Sequence, residues 1–117
     1  MSLTPAESFQ DSLLWQRAHG FVLAAYNYSD YFPQKETLGL TAEFRRAAIS
    51  IAANIAGAFS VEGDQRDKLT AAREAIERCR YYLILAKDLG YGDHPELTPQ
   101  LEEISRMLKQ YGKESGG

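Results

Sequence analysis

Cysteine is nearly absent: Cys79 stands alone among 117 residues. One thiol can make neither an intrachain disulfide nor a cysteine zinc site. Histidine is scarce as well, and His19 and His94 have no matched partner nearby in sequence. There is no His-x-x-x-His, no Glu-x-x-His of the kind that lets helical bundles hold two metals, no phosphate-cradling glycine loop and no serine elbow. These gaps predict no metal, no cofactor and no enzymatic activity. His19 reads as a surface or packing residue of a helix and His94 as a solvated loop residue. A basic excess is lacking too, with 13 Lys and Arg against 16 Asp and Glu. A net charge of −3 argues against a general nucleic-acid binder but leaves room for a local basic patch.

Long apolar runs are also missing. The longest uncharged stretch, Ala47 to Val61, has fifteen residues and contains Asn54 and Gly57. Roughly 20 apolar residues are needed to cross a bilayer. The opening "MSLTPAESFQDS" lacks the basic-then-apolar plan of a signal peptide. We therefore expect a soluble, cytoplasmic protein with no membrane contact. Hydrophobic residues make up 44% of the chain and charged residues 25%, so it has the composition of one globular domain rather than of a disordered segment.

What is present is helical spacing. Leu14, Ala18, Phe21, Ala25, Tyr28 and Phe32 recur in steps of four and three, with Asp11 or Ser12 to cap the start and Pro33 after the end. Phe44, Ala48, Ile51, Ile55 and Ala58 do the same behind a candidate cap, Thr41. Leu69, Ala72, Ile76, Cys79, Leu83 and Ala86 form the third series, stopped by Gly90. Leu101, Ile104, Leu108 and Tyr111 form the fourth, with Thr98 as cap and Pro99 in the first helical position. No stretch sustains a period of two. Short connections make successive helices antiparallel neighbours. The prediction is an all-α fold, an antiparallel up-down-up-down four-helix bundle. Its helices lie at about 12–32, 41–59, 65–89 and 99–111, within a domain at 11–112. Residues 1–10 read as an N-terminal extension and 113–117 as a flexible tail.

The uncharged run raises its own question. With Phe44, Ala48, Ile51, Ile55 and Ala58 turned to the bundle, the opposite side of the second helix carries Arg46, Ile49, Ala53, Ala56, Gly57 and Ser60. Beyond Arg46 that side is small and uncharged, and a helix apolar all round is buried all round. Alanine alone could be there for helix propensity, but an isoleucine could not. Ile49, Ala53, Ala56 and Gly57 are therefore the candidate surface for a second copy of the chain.

The third helix carries Arg66, Arg73, Arg80 and Lys87 at seven-residue intervals on one flank of its apolar seam. Residues 41–87 hold eight cations and six acids, leaving the rest of the chain at −5. Such cations can pair with carboxylates such as Glu102 and Glu103 on a neighbouring helix. Alternatively, with Arg45 and Arg46, they can form a phosphate-binding surface for RNA or DNA. Cys79, on the apolar seam, reads as a small buried hydrophobe.

Four stretches carry a family resemblance: "DSLLWQRAH" (11–19), "FPQKETLGLTAEFRRAAISIAANIA" (32–56), "LILAKDLGY" (83–91) and "LEEISRML" (101–108). Trp15-Gln16, Arg45-Arg46-Ala47-Ala48, Asn54-Ile55-Ala56 and Lys87-Asp88-Leu89-Gly90-Tyr91 are its marks. The chain resembles the bacterial four-helix-bundle family also called the 23S rRNA intervening-sequence protein family. That resemblance implies a ring-shaped homopentamer without established enzymatic activity. It also implies kinship with accessory variability proteins of diversity-generating retroelements, which bind nucleic acid and a reverse transcriptase. RNA, DNA or a nucleic-acid-processing protein are the partners it suggests. The family usually reads Ile-Pro-Ser-Asn-Ile-Ala-Glu-Gly where this chain reads "IAANIAGA". Ala52 thus stands for proline, Ala53 for serine, Gly57 for glutamate and Ala58 for glycine. Losing the proline should straighten the second helix. The acids in "FSVEGDQRDK" lie where the family is often more basic.

Overall fold

Ser12 sets the start of the first helix. Its hydroxyl accepts from the Trp15 backbone N–H at 3.2 Å, and α1 runs from Leu13 to Ser29. A computed structural model of the chain describes residues 8–60 and 65–116. Within it α2 spans Leu40–Ser60, α3 Gln65–Asp88 and α4 Leu97–Gly116, and no strand occurs among the described residues. Two single 3-10 turns, Phe9–Asp11 and Gln34–Glu36, precede α1 and α2. Residues 1–7 of the expected extension, most of the expected 60–64 connection and Gly117 of the expected tail lie outside the described residues.

Helix ends follow local chemistry more than apolar spacing. α1 stops at Ser29, three residues earlier than expected, although Phe32 is still buried. The Ser29 hydroxyl donates back to the Ala25 carbonyl at 2.8 Å, and Phe32 reaches the core from the turn. Thr41 does not cap α2. Glu36 does, accepting the Leu40 N–H at 3.1 Å through Oε1. α3 ends in a Schellman motif: Tyr91 N–H donates to Ala86 O at 2.9 Å and Gly90 N–H to Lys87 O at 3.0 Å. Gly90 has φ +82°, a conformation that a Cβ would strain. α4 begins two residues before the expected start, so Thr98 and Pro99 lie inside its first turn, and it continues past Tyr111 to Gly116.

The bundle order is read from cross-helix contacts. Arg45, near the start of α2, bonds Ser29 and Asp30 at the end of α1. Gly57, near the end of α2, faces the stem of Lys68 at the start of α3. Arg80 in the second half of α3 meets Glu102 near the start of α4. Arg17 at the start of α1 meets Glu103, while Tyr28 at its end donates to Gly92 O, just before α4. Each neighbour is therefore antiparallel. The extensive contacts are α1–α2, α2–α3, α3–α4 and α4–α1, which places the α1–α2 and α3–α4 seams on opposite sides.

Apolar side chains from all four helices fill one core. Phe21, Phe44, Ile51, Ile55, Ile76, Leu97, Leu101, Ile104 and Leu108 are almost wholly buried. Cys79 is fully buried with them, and burial pushes its thiol up to about 12. It should resist thiol reagents in the native protein and react within minutes in denaturant. Rapid native labelling, followed by mass spectrometry, would show this placement to be wrong.

One pole of the bundle is latched. Tyr91 donates to Glu36 Oε2 at 2.6 Å, tying the α3–α4 connection to the α1–α2 connection. The Tyr91 bond, then the Leu40 N–H, hold the Glu36 carboxyl below its ordinary range. A depressed native pKa gives stability that is complete above the unfolded value of 4.5 and is lost as pH falls through the native one. Glu36→Gln should lower the urea midpoint at pH 7 and narrow the gap between wild type and variant below pH 4.5. An equal gap at both pH values would refute the latch.

Candidate functional site

The outward side of α2 does not stand alone. Ile49 is 44% exposed and Ala53 is exposed, and with Ala52 and Ala56 they form one wall of an open groove. Phe9, Trp15, His19 and Val22 form the other wall, around about 260 Å³. Trp15 and His19 stack at 4.9 Å with planes 7° apart, and Phe9 meets Trp15 edge-on at 5.0 Å. Apart from the His19 ring, every side chain on the groove is apolar. Leu23, 55% exposed on the adjoining face of α1, extends the surface.

The structure brings Ile49, Ala53 and Ala56 together but sets Gly57 apart. A Cβ on Gly57 would sit 3.4 Å from Lys68 Cδ, so that position is roofed by a lysine stem of the same chain. Gly57 is thus a contact of the α2–α3 seam rather than part of the free face, because it lies round the helix from Ala53 toward α3. A glutamate here, the residue the resemblance leads one to expect, would meet Lys68. Ala52, on the groove, is only 8% exposed, and α2 runs unbroken through it.

The sequence series missed the α1 wall. Its signal was a second stripe, Trp15, His19, Val22 and Tyr26, stepping 4,3,4 one residue behind the core stripe. A stripe adjoining the core series widens the apolar face beyond what one bundle can cover.

The six candidate phosphate-binding cations are scattered by the structure, and two are committed within the chain. Arg45 lies over the Tyr26 ring at 4.5 Å and donates to Ser29 Oγ at 2.7 Å, Asp30 Oδ1 at 2.7 Å and the Tyr26 carbonyl at 3.3 Å. It closes the C-terminus of α1, where a cation suits the helix dipole. Arg80 bonds Glu102 at 2.8 Å and stands 3.6 Å from Glu77. Arg45 thus spends its donors on the end of α1, while Arg80 holds Glu102 through its terminal nitrogens and keeps a buried Nε without a hydrogen-bond partner. Lys87 is 4.0 Å from Asp93, and Arg46 pairs with Glu43 at 3.2 Å on its own helix. Arg66 and Arg73 form no ion pair among the described residues; Arg73 has only the Thr70 hydroxyl at 3.4 Å.

A second cleft, about 280 Å³, lies where α3 meets the α3–α4 connection. Arg80, Leu83, Ile84, Lys87, Asp93, His94 and Thr98 line it. His94 is half-buried rather than solvated, packed edge-on to Tyr28 at 5.5 Å with Nδ1 lacking a hydrogen bond. Each cation of the cleft has a carboxylate beside it, Glu102 at 2.8 Å from Arg80 and Asp93 at 4.0 Å from Lys87. No cluster of metal-ligating side chains exists among the described residues, and no helix there is long and apolar enough to cross a membrane.

These features define a class: a small antiparallel four-helix bundle whose distinguishing surface is an apolar seam between its first two helices. The chain belongs to the 23S rRNA-intervening sequence protein family, whose model matches residues 10–110. No curated protein matches it. The family's marks can now be placed. Arg45 closes α1, Tyr91 latches Glu36 and Gly90 ends α3, so these positions serve the fold.

Proposed function

We propose that the protein is a non-enzymatic, cytoplasmic scaffold that works as a homo-oligomer, with the α1–α2 groove as its self-association surface. One observation carries this reading: a contiguous apolar groove between α1 and α2, with half-buried Phe9 and Trp15 on one wall and exposed Ile49 and Ala53 on the other. Contiguous apolar surface of this kind marks association. Small alanines on one wall let a neighbouring helix approach closely, and Trp15 on the other offers an anchor. Five copies is the number that the family resemblance supports. Light scattering or native mass spectrometry should give about five times the 13.1 kDa of one chain. A monomer at micromolar concentration would defeat the proposal, and another integral multiple would keep the assembly and replace the number.

A further inference from the structure

Residues 81–86 of α3 read "YYLILA", six successive aliphatic or aromatic side chains. A helix apolar all round needs cover all round. Its own bundle supplies only part of that cover. Tyr82, Leu83 and Leu85 pack half-buried against the core and Ala86 is buried in it, but Tyr81 stays 57% exposed and Ile84 58%. These two belong to one outward stripe of α3: Glu74, Glu77, Tyr81, Ile84 and Asp88, stepping 3,4,3,4 and exposed at every position. Arg80 and Lys87, on one flank of the stripe, turn to Glu102 and Asp93, and Arg78 borders the other flank. The seams of α3 are with α2 and α4, so α3 lies diagonally across the bundle from α1. A chain therefore cannot lay this stripe in its own α1–α2 groove.

We propose that this ridge, Tyr81 and Ile84 with acids at either end, seats in the α1–α2 groove of a second copy. The pairing rests on the proposed self-association through the groove and names what fills it. Shape favours it. The α2 wall is mostly alanine, at Ala52, Ala53 and Ala56, so the groove has room for large side chains from outside. Groove against groove would pair two hollows and leave Tyr81 and Ile84 in water. A tyrosine hydroxyl needs a partner when covered, and His19, the one polar side chain on the groove, offers it to Tyr81. Charge agrees. α1 has no carboxylate and α2 only Glu43, held by Arg46, so nothing on these helices repels Glu74, Glu77 and Asp88. Their other ionisable groups of this kind are Arg17, His19, Arg45 and Arg46. Ridge and groove are different surfaces of one chain. Copies thus join head to tail, and such a series can close into a ring.

The test uses light scattering and circular dichroism of the intact chain at micromolar concentration. The ridge variant is Tyr81→Lys with Ile84→Lys, whose new charges lie four residues from Glu77 and Asp88 and so suit the folded monomer. The groove variant is Ile49→Arg with Ala53→Glu. The wild type should assemble, and each variant alone should show the mass of one chain with an unchanged helical spectrum. An equimolar mixture of the two should show twice the 13.1 kDa of one chain. The groove variant keeps a sound ridge and the ridge variant a sound groove, so growth stops at one pair. The milder Tyr81→Ala with Ile84→Ala should raise the concentration needed for assembly at least about tenfold. A ridge variant that assembles like the wild type overturns the pairing and leaves self-association through the groove standing. So does a mixture that stays at the mass of one chain, or an alanine variant that assembles at the wild-type concentration. A wild type that is itself monomeric overturns both proposals.

Discussion

Under the proposed assembly, Ile49→Arg combined with Ala53→Glu should yield folded monomers. Both side chains lie outside the chain's own core, Ile49 at 44% exposure and Ala53 in the exposed class. In a monomer the new charges are solvated, and surface substitutions of that kind cost about 0.5 kcal/mol or less. In an assembly built on the groove they would be taken out of water with, at most, each other as partners one turn apart on α2. Each such charge costs several kcal/mol after relaxation, more than the ~1.4 kcal/mol that shifts an association tenfold. The expected readout is a single-chain mass by light scattering with an unchanged helical spectrum. Unchanged mass with unchanged helicity would mean that the copies meet elsewhere. Gly57→Ala is the matching control. Its Cβ would meet the Lys68 stem at ordinary contact distance, so the assembly mass should not change.

The same pair of positions shows what sequence could and could not reveal. Ile49 and Ala53 were legible as a surplus apolar face because helical period assigns each residue an angle. Gly57 was misplaced because angle alone does not say which neighbouring helix covers it. The roof is Lys68, whose stem comes from a different helix. Phe32 extended the first helix on paper because spacing reports burial, and burial can be reached from a turn. The start of α4 was missed because "LTPQ" looks like a cap when only its own residues are weighed.

Charge was the least legible feature. The seven-residue row on α3 was visible, but which of its members are free depends on α4. Arg80 meets Glu102, while Arg73, two turns away, has only the Thr70 hydroxyl among the described residues. No period within one helix encodes that difference. It appears only once the antiparallel register is fixed. The basic stripe therefore divides into a paired half that braces the bundle and an exposed half that makes no ion pair among the described residues.

Phe44→Ala should be the most destabilising single truncation at the latched pole. Phe44 is 1% exposed and sits among Phe21 and Tyr28, both edge-on at 6.3 Å, and Phe32 at 6.2 Å. Tyr28 in turn donates to Gly92 O, and Phe32 packs on Tyr91, whose hydroxyl holds Glu36. The ring thus lies where α1, α2 and both connections at this pole meet. Replacing a buried phenylalanine by alanine costs about 3–5 kcal/mol through lost transfer energy and the cavity left behind. A domain of this size has only about 5–15 kcal/mol in total. Phe44→Leu, which keeps most of the volume, should cost about 1 kcal/mol. Both should be measured by urea unfolding in the Ile49→Arg, Ala53→Glu background, where association no longer adds to apparent stability. A loss below about 1 kcal/mol for Phe44→Ala would mean that the aromatic cluster can close over the gap. The pole would then be held by the Tyr91–Glu36 latch rather than by packing around Phe44.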